Sequence, residues 1–343
     1  MSHKRWMTAL LATALVLSLV TLPGCAGDEA TTEAPVETPA AEEAAPSEQS
    51  ADIRTAMIEA ANEYFKNEPV PTIAGADLLK VVSDKDPGYQ IVDIRSAEHY
   101  ALGHIEGAIN IPFETNADDE SLAKLDATKK IVVVCYTGHT ASMTNMVWNM
   151  LGYDAVTLKF GMSGWVADKA IVGVDIPGKA GAGYPTVSTP TEAAGPFEAP
   201  EIEGEYADVA EAIKGQAKAY FTSDIAPTIS PEDVYAIVQA KDPAYQIISV
   251  RKPNDYAKGH IAGAINILWT DIADNLDKVD PSKKTIIYCY TGHTGGEAAM
   301  FLNLMGYEAY NMKFGMSGWT NDTAMGGLTG FDPATVPGYP TVK

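Results

Sequence analysis

The second half of this 343-residue chain repeats the first. Ala51-Asp52 answers to Ala207-Asp208, Tyr64-Phe65 to Tyr220-Phe221, and Pro71-Thr72-Ile73 to Pro227-Thr228-Ile229. Tyr89-Gln90-Ile91 matches Tyr245-Gln246-Ile247, and Gly103-His104-Ile105 matches Gly259-His260-Ile261. Phe160-Gly161-Met162-Ser163-Gly164-Trp165 recurs at Phe314 to Trp319, and both copies finish in Gly-Tyr-Pro-Thr-Val. A period this long excludes a solenoid of small units and implies tandem domains, each large enough for its own core. The copies span 51–187 and 207–343, and the Pro-, Ala- and Glu-rich stretch 188–206 reads as a linker.

Within a copy, short apolar runs alternate with helical spacing. Helices are expected at 53–66, 74–83, about 119–125 and 141–151, and strands at 90–94, 108–111, 131–135 and 155–159. This alternation predicts an α/β fold: a mostly parallel sheet flanked by helices on both faces. Such sheets place ligands at the carboxyl ends of their strands.

At one such end stands Cys135-Tyr136-Thr137-Gly138-His139-Thr140, and the second copy repeats it as Cys289-Tyr290-Thr291-Gly292-His293-Thr294. Each run follows β-branched residues and precedes a helical pattern closed by Gly152 or Gly306. Backbone N–H groups of such a loop, with the positive end of the next helix, favour a thiolate over a thiol. A small buried apolar cysteine is the alternative, but its recurrence in one loop sequence favours a reactive group. The third cysteine, Cys25, is remote, and no Cys/His cluster has metal spacing, so neither a metal site nor a cofactor is expected.

Lys4 and Arg5 precede an apolar run from Trp6 to Leu22, closed by Pro23-Gly24-Cys25. This is a signal-peptide layout, and Leu22-Pro23-Gly24-Cys25 resembles a bacterial lipobox. The resemblance implies cleavage before Cys25 and lipid attachment to its sulfur, hence a bilayer as partner. An uncleaved membrane helix is the alternative, disfavoured by the run's length and its Pro-Gly end. Either way the remainder is expected outside the cytoplasm, on the periplasmic or extracellular side. Residues 26–50 are Ala, Glu, Pro, Thr and Ser with acidic charge only, the composition of a disordered tether. The net charge of −21 excludes nucleic acid as a partner, there being no basic stripe to neutralise phosphates.

Three ordered motifs carry a family resemblance. Asp93-Ile94-Arg95, with Glu98-His99-Tyr100 and the run from Gly103 to Pro112, resembles the amino-terminal signature of rhodanese domains. The cysteine loops resemble the family's six-residue active-site loop, and Gly161 to Trp165 its carboxyl-terminal signature. The resemblance covers roughly 71–170 and 227–324 and implies two tandem rhodanese-like domains that move sulfane sulfur. By position, Cys135 and Cys289 would be the nucleophiles that form a persulfide and pass it to a thiophilic acceptor. Residues 136–140 and 290–294 would cradle a small sulfur-containing anion through backbone amides.

The loops also depart from the family pattern. Many thiosulfate-using members carry basic loop residues, where Tyr136, Thr140, Tyr290 and Thr294 stand here. His139 and His293 are expected to face solvent, with binding or proton transfer as the alternative. His104 and His260 are expected to fix a turn, and Arg95 and Arg251 to brace the sheet edge. In the second copy Ser249 replaces Asp93, Leu268 replaces Pro112, and Thr294 to Glu297 fits a capping box whose carboxylate would oppose a thiolate. Cys135 is therefore the stronger candidate. A phosphatase is excluded because neither loop has an arginine after its cysteine to clamp phosphate. A non-catalytic sulfur carrier or anion-binding module remains the other reading. With one thiol per domain, a disulfide would need the two loops face to face.

Overall fold

The computed structural model describes residues 48–66, 70–174, 181–322, 325 and 331–343; the expected signal peptide and lipobox with Cys25, and nearly all of the expected tether, lie outside them. In the first repeat the order is α1 (Glu48–Phe65), β1 (Thr72–Ile73), α2 (Gly75–Asp84), β2 (Tyr89–Asp93), α3 (Ala97–Leu102) and β3 (Ile109–Asn110). It continues with α4 (Asp119–Leu122), β4 (Lys130–Val134), α5 (His139–Met150), β5 (Asp154–Leu158), α6 (Gly161–Trp165) and α7 (Lys169–Val172). The second repeat opens with α8 (Val209–Phe221), β6 (Thr228–Ile229), α9 (Pro231–Ala240), β7 (Tyr245–Ser249), α10 (Pro253–Lys258) and β8 (Ala264–Asn266). It closes with β9 (Lys284–Tyr288), α11 (His293–Leu304), β10 (Ala309–Met312) and α12 (Gly315–Trp319).

Each repeat is built on a five-stranded parallel sheet, ordered β1-β5-β4-β2-β3 in the first and β6-β10-β9-β7-β8 in the second. The central strand explains the continuous apolar run. Ile131 to Val134 of β4 are all buried, because helices cover both faces of the sheet. Helix α5 stops where the sequence indicates: Gly152 has φ 91°, and its N–H bonds the Asn149 carbonyl. The expected strands and the helices expected at 74–83 and 141–151 lie within a residue or two of the observed ones, whereas α1 begins five residues before the expected 53 and α4 ends at Leu122, short of the expected 125. Strands β1 and β6 and helix α3 were not expected.

The repeats trade their ends. Helix α1 of the first packs on 3-10 turns Trp269–Asp271 and Ala273–Lys278 of the second, where Phe65 meets Trp269 edge-on at 5.4 Å. Helix α8 of the second returns to the Phe113–Thr115 turn of the first, with Phe113 and Phe221 4.6 Å apart. Between them α5 packs against α11, and one buried apolar cluster runs through both repeats.

The two Gly-Tyr-Pro-Thr-Val tails are exchanged as well. Val342 pairs antiparallel with His104, Trp165 donates its indole N–H to the Pro340 carbonyl at 2.9 Å, and Tyr339 lies edge-on to that indole. Reciprocally, Val187 pairs with His260, Trp319 donates to the Pro185 carbonyl at 3.0 Å, and Tyr184 covers its ring. His104 and His260 do hold turns: each stacks on the tyrosine four residues earlier and bonds that residue's carbonyl. Truncation before Gly338 should therefore uncover the fully buried Trp165. The expected readout is a red-shifted tryptophan emission with a melting temperature lowered by several degrees, for a loss of about 2 kcal/mol.

Candidate active site

Both cysteines sit where the central strand ends and the chain turns into a helix. After Val134 the chain makes one loop, and α5 begins at His139 with Gly138 as its N-cap in the left-handed region, φ 88°. The Gly138 N–H points at Cys135 Sγ at 3.0 Å, and the Ala141 N–H approaches the same sulfur at 3.4 Å. In the second repeat the Gly292 N–H lies 3.0 Å from Cys289 Sγ. Donors aimed at sulfur favour negative charge there. The thiols are free but only 1% and 2% exposed.

The carboxyl-terminal signature is the bracket for this loop. Met162 and Ser163 donate their N–H groups to the carbonyls of Cys135 and Tyr136, at 2.8 and 2.9 Å, and Met316 and Ser317 do the same for Cys289 and Tyr290. Gly161 is required: its φ is 53°, and a Cβ there would lie 2.4 Å from the Cys135 carbonyl oxygen.

The loop side chains do different jobs. Tyr136 turns its hydroxyl to α3, accepting the Ser96 N–H at 3.2 Å beside His99 Nδ1 at 2.9 Å. Tyr290 turns to α10, where its hydroxyl donates to Asp255 at 2.6 Å; burial first and that carboxylate next push its pKa up to about 12. Thr137 and Thr291 hold the Nδ1 atoms of His139 and His293, each at 3.0 Å.

The two histidines do not face solvent. Each is buried in the opposite repeat. Phe314 donates its N–H to His139 Nε2 at 3.2 Å, and Phe160 donates to His293 Nε2 at 3.2 Å. A backbone N–H can only donate, so His293 Nε2 is the acceptor there, whereas His139 Nε2 meets both the Phe314 N–H and the Thr291 carbonyl, each at 3.2 Å. Burial pushes His139 down to about 4 and His293 to about 3. The cysteine loops thus stand face to face. A Cβ on Gly138 would lie 2.5 Å from His293 Nε2, and one on Gly292 2.5 Å from His139 Nε2. Gly138→Ala, strained in φ and blocked by His293, should cost about 2 kcal/mol in denaturant unfolding.

One further residue corrects the sequence reading, and a second shows the consequence of a replacement that the sequence already marked. Glu297 forms no capping box: the cap of α11 is Gly292, without a side-chain bond, and Glu297 lies wholly buried. Burial pushes its carboxyl up to about 8, so it is protonated at neutral pH and puts no negative charge near Cys289. The second is Ser249. Arg95 is held by the Asp93 carboxylate at 2.7 Å and by the Gly103 and Ile171 carbonyls. Arg251 keeps the corresponding carbonyls of Gly259 and Met325, but its Nε and Ser249 Oγ are left without partners. The Tyr288 ring, 5.5 Å from the guanidinium, stands where the first repeat has Val134.

Beside the first loop opens a cavity of about 480 Å³. Tyr136, Thr137, His139 and Thr140 form one wall, and Lys313, Phe314 and Ser317 of the second repeat form the facing one. The sequence carried a signal for this wall, since Lys-Phe precedes the carboxyl-terminal signature in both copies. Among the described residues no group of three His, Cys, Asp or Glu side chains could hold a metal ion.

The fold and loops define a duplicated parallel α/β protein that presents one cysteine per copy at the carboxyl end of its central strand. The Rhodanese-like domain family matches residues 76–168 and 230–322, together more than half of the chain, and the protein belongs to that family as a tandem of two such domains. The putative thiosulfate sulfurtransferase SseA of Mycobacterium bovis is 24% identical over 300 residues, covering 73% of this chain and 89% of that protein. The uncharacterized protein YqhL of Bacillus subtilis is 36% identical over 75 residues, 22% of this chain and 60% of that protein. The crystal structure of thiosulfate sulfurtransferase from Pseudomonas aeruginosa matches at 13% identity with a TM-score of 0.29, over 76% of this chain and 46% of that one.

Proposed function

We propose that this protein is a rhodanese-type sulfurtransferase that carries sulfane sulfur as a persulfide on Cys135, and on Cys289 to a lesser degree. The observation that carries the reading is the convergence of the Gly138 and Ala141 N–H groups on Cys135 Sγ. The relative named a putative thiosulfate sulfurtransferase, matched over 300 residues, supports it. The thiolate attacks the outer sulfur of a donor such as thiosulfate. An Sγ–S bond forms, the donor's S–S bond breaks, and sulfite leaves with the bonding pair. A thiophile then attacks the outer sulfur, takes it, and returns Cys135 to the thiolate. The loop amides hold the negative charge of each state. Exposing the protein to thiosulfate should add the mass of one sulfur atom at Cys135, and cyanide should remove it as thiocyanate. No added mass on either cysteine would sink the proposal.

The near-complete burial of both sulfurs favours a second reading, a carrier that holds sulfur without turning over. Persulfide formation without catalytic thiocyanate release would select it. We also propose that acylated Cys25 anchors the protein to the exported side of a membrane, on the strength of its lipobox. Labelled fatty acid should then be incorporated into the wild type and not into Cys25→Ser.

A further inference from the structure

The bracket around the first cysteine loop starts from a strained residue. Phe160, the N-cap of α6, lies in the left-handed region at φ 64° and ψ 10°. A bulky side chain adopts that conformation at a cost, and only where its surroundings hold it. From Phe160 the chain runs through Gly161 into Met162 and Ser163, whose N–H groups hold the Cys135 and Tyr136 carbonyls. Part of the hold on Phe160 comes from the other repeat. Its N–H donates to His293 Nε2 at 3.2 Å, and its ring meets that imidazole edge-on at 5.4 Å. The same Nε2 lies against Gly138, whose N–H points at Cys135 Sγ. Burial keeps the ring neutral, so with Nε2 accepting it carries its proton on Nδ1, 3.0 Å from Thr291 Oγ1. Both nitrogens are engaged, which leaves His293 no free site for acid–base work. The reciprocal contact is divided: Phe314 has φ 58°, but His139 Nε2 faces the Thr291 carbonyl as well as the Phe314 N–H.

We propose that His293, in the second cysteine loop, is a positioning residue for Cys135. One imidazole fixes the Phe160 N–H and abuts Gly138, and so sets both the bracket and the amide that faces the sulfur. His139, not His293, is on the wall of the neighbouring cavity, so the effect of His293 passes through Phe160 and Gly138. The second repeat thereby serves sulfur transfer at the first independently of its own thiol. The divided contact of His139 gives Cys289 a weaker version of the same support. The inference rests on the sulfurtransferase reading and adds a residue to it.

The test uses the full chain carrying Cys289→Ser, so that sulfur loads only at Cys135, with thiosulfate as donor and cyanide as acceptor. His293→Phe keeps a buried ring but offers Phe160 no acceptor. It should lower kcat about tenfold, the scale of one lost hydrogen bond, with little change in KM for thiosulfate. His293→Gln, whose amide oxygen reaches where Nε2 stood, should restore most of the rate, and the shorter His293→Asn should not. His260→Phe, at a buried histidine that holds a turn of the same repeat, should lower the melting temperature without that fall in kcat. Should phenylalanine at 293 prevent folding, Thr291→Val, which frees Nδ1 and leaves the ring in place, should still lower kcat by a smaller factor. A kcat indifferent to these changes, or equal losses with glutamine and asparagine, would overturn the inference while leaving sulfur transfer intact. A Cys289→Ser protein that gains no sulfur at Cys135 would instead overturn the sulfurtransferase reading beneath it.

Discussion

Cys135→Ser should remove most of the thiocyanate produced from thiosulfate and cyanide, and the double variant with Cys289→Ser should fall by about a thousandfold or more. A serine oxygen forms no persulfide, so the sulfur has nowhere to be held between donor and acceptor. The asymmetry between the single variants follows from the geometry. Cys135 Sγ has two N–H groups directed at it, those of Gly138 and Ala141, whereas the Gly292 N–H is the one that reaches Cys289 Sγ. Cys289→Ser should therefore retain more than half of the wild-type rate. Initial rates of the two single variants decide the matter, and equal halves would show that the second amide carries no weight.

The second large effect is on stability and comes from Glu297. Its carboxyl lies wholly buried on α11, and Tyr64 and Trp269 are its nearest polar neighbours, yet both oxygens and the Trp269 indole N–H lack a bond of good geometry. The unfolded chain ionises this group near 4.5, the folded one near 8. Folding is thus unhindered below 4.5, loses stability progressively as the pH rises toward 8, and is most penalised beyond it. At one position in the repeat the two copies differ here: Met143 of α5 is the counterpart of Glu297, with the Tyr220 hydroxyl 3.9 Å from its sulfur. Glu297→Met should accordingly stabilise the protein by several kcal/mol above pH 8 and by much less near pH 4.5. Glu297→Gln, neutral throughout, isolates the charge. Denaturant unfolding at both pH values reads the effect, and an equal gain at each would show that packing, not ionisation, is responsible.

The parts of the fold legible in the sequence were those with local causes. The run Ile131 to Val134 shows a strand buried on both faces, and Gly152 and Gly306 mark helix ends because only a glycine turns left-handed there without strain. Strands β1 and β6, two residues each, were hidden because they exist only through pairing with β5 and β10 far along the chain. Helix α5 showed an apolar stripe at Met143, Met146 and Val147, yet its polar residues Ser142, Thr144 and Asn145 are buried too, since α1, α8 and α11 all pack on this helix. Asn116 bonds Thr144, and the Ser142 hydroxyl bonds the His139 carbonyl, so polar residues are satisfied where the pattern suggested solvent. The histidines were misread for the same reason. Nothing near His139 in sequence indicates that the N–H of Phe314 will meet its ring.

The reciprocal loan of α1, α8 and the two tails also fixes how the architecture can change. A pair of units that each complete the other is closed under a local two-fold relation. A third copy appended to this chain would find every lending position already filled, and a single copy alone would have its borrowing surfaces bare. A lone copy should therefore be soluble only by doubling with itself, and growth of this lineage by further duplication should proceed in pairs.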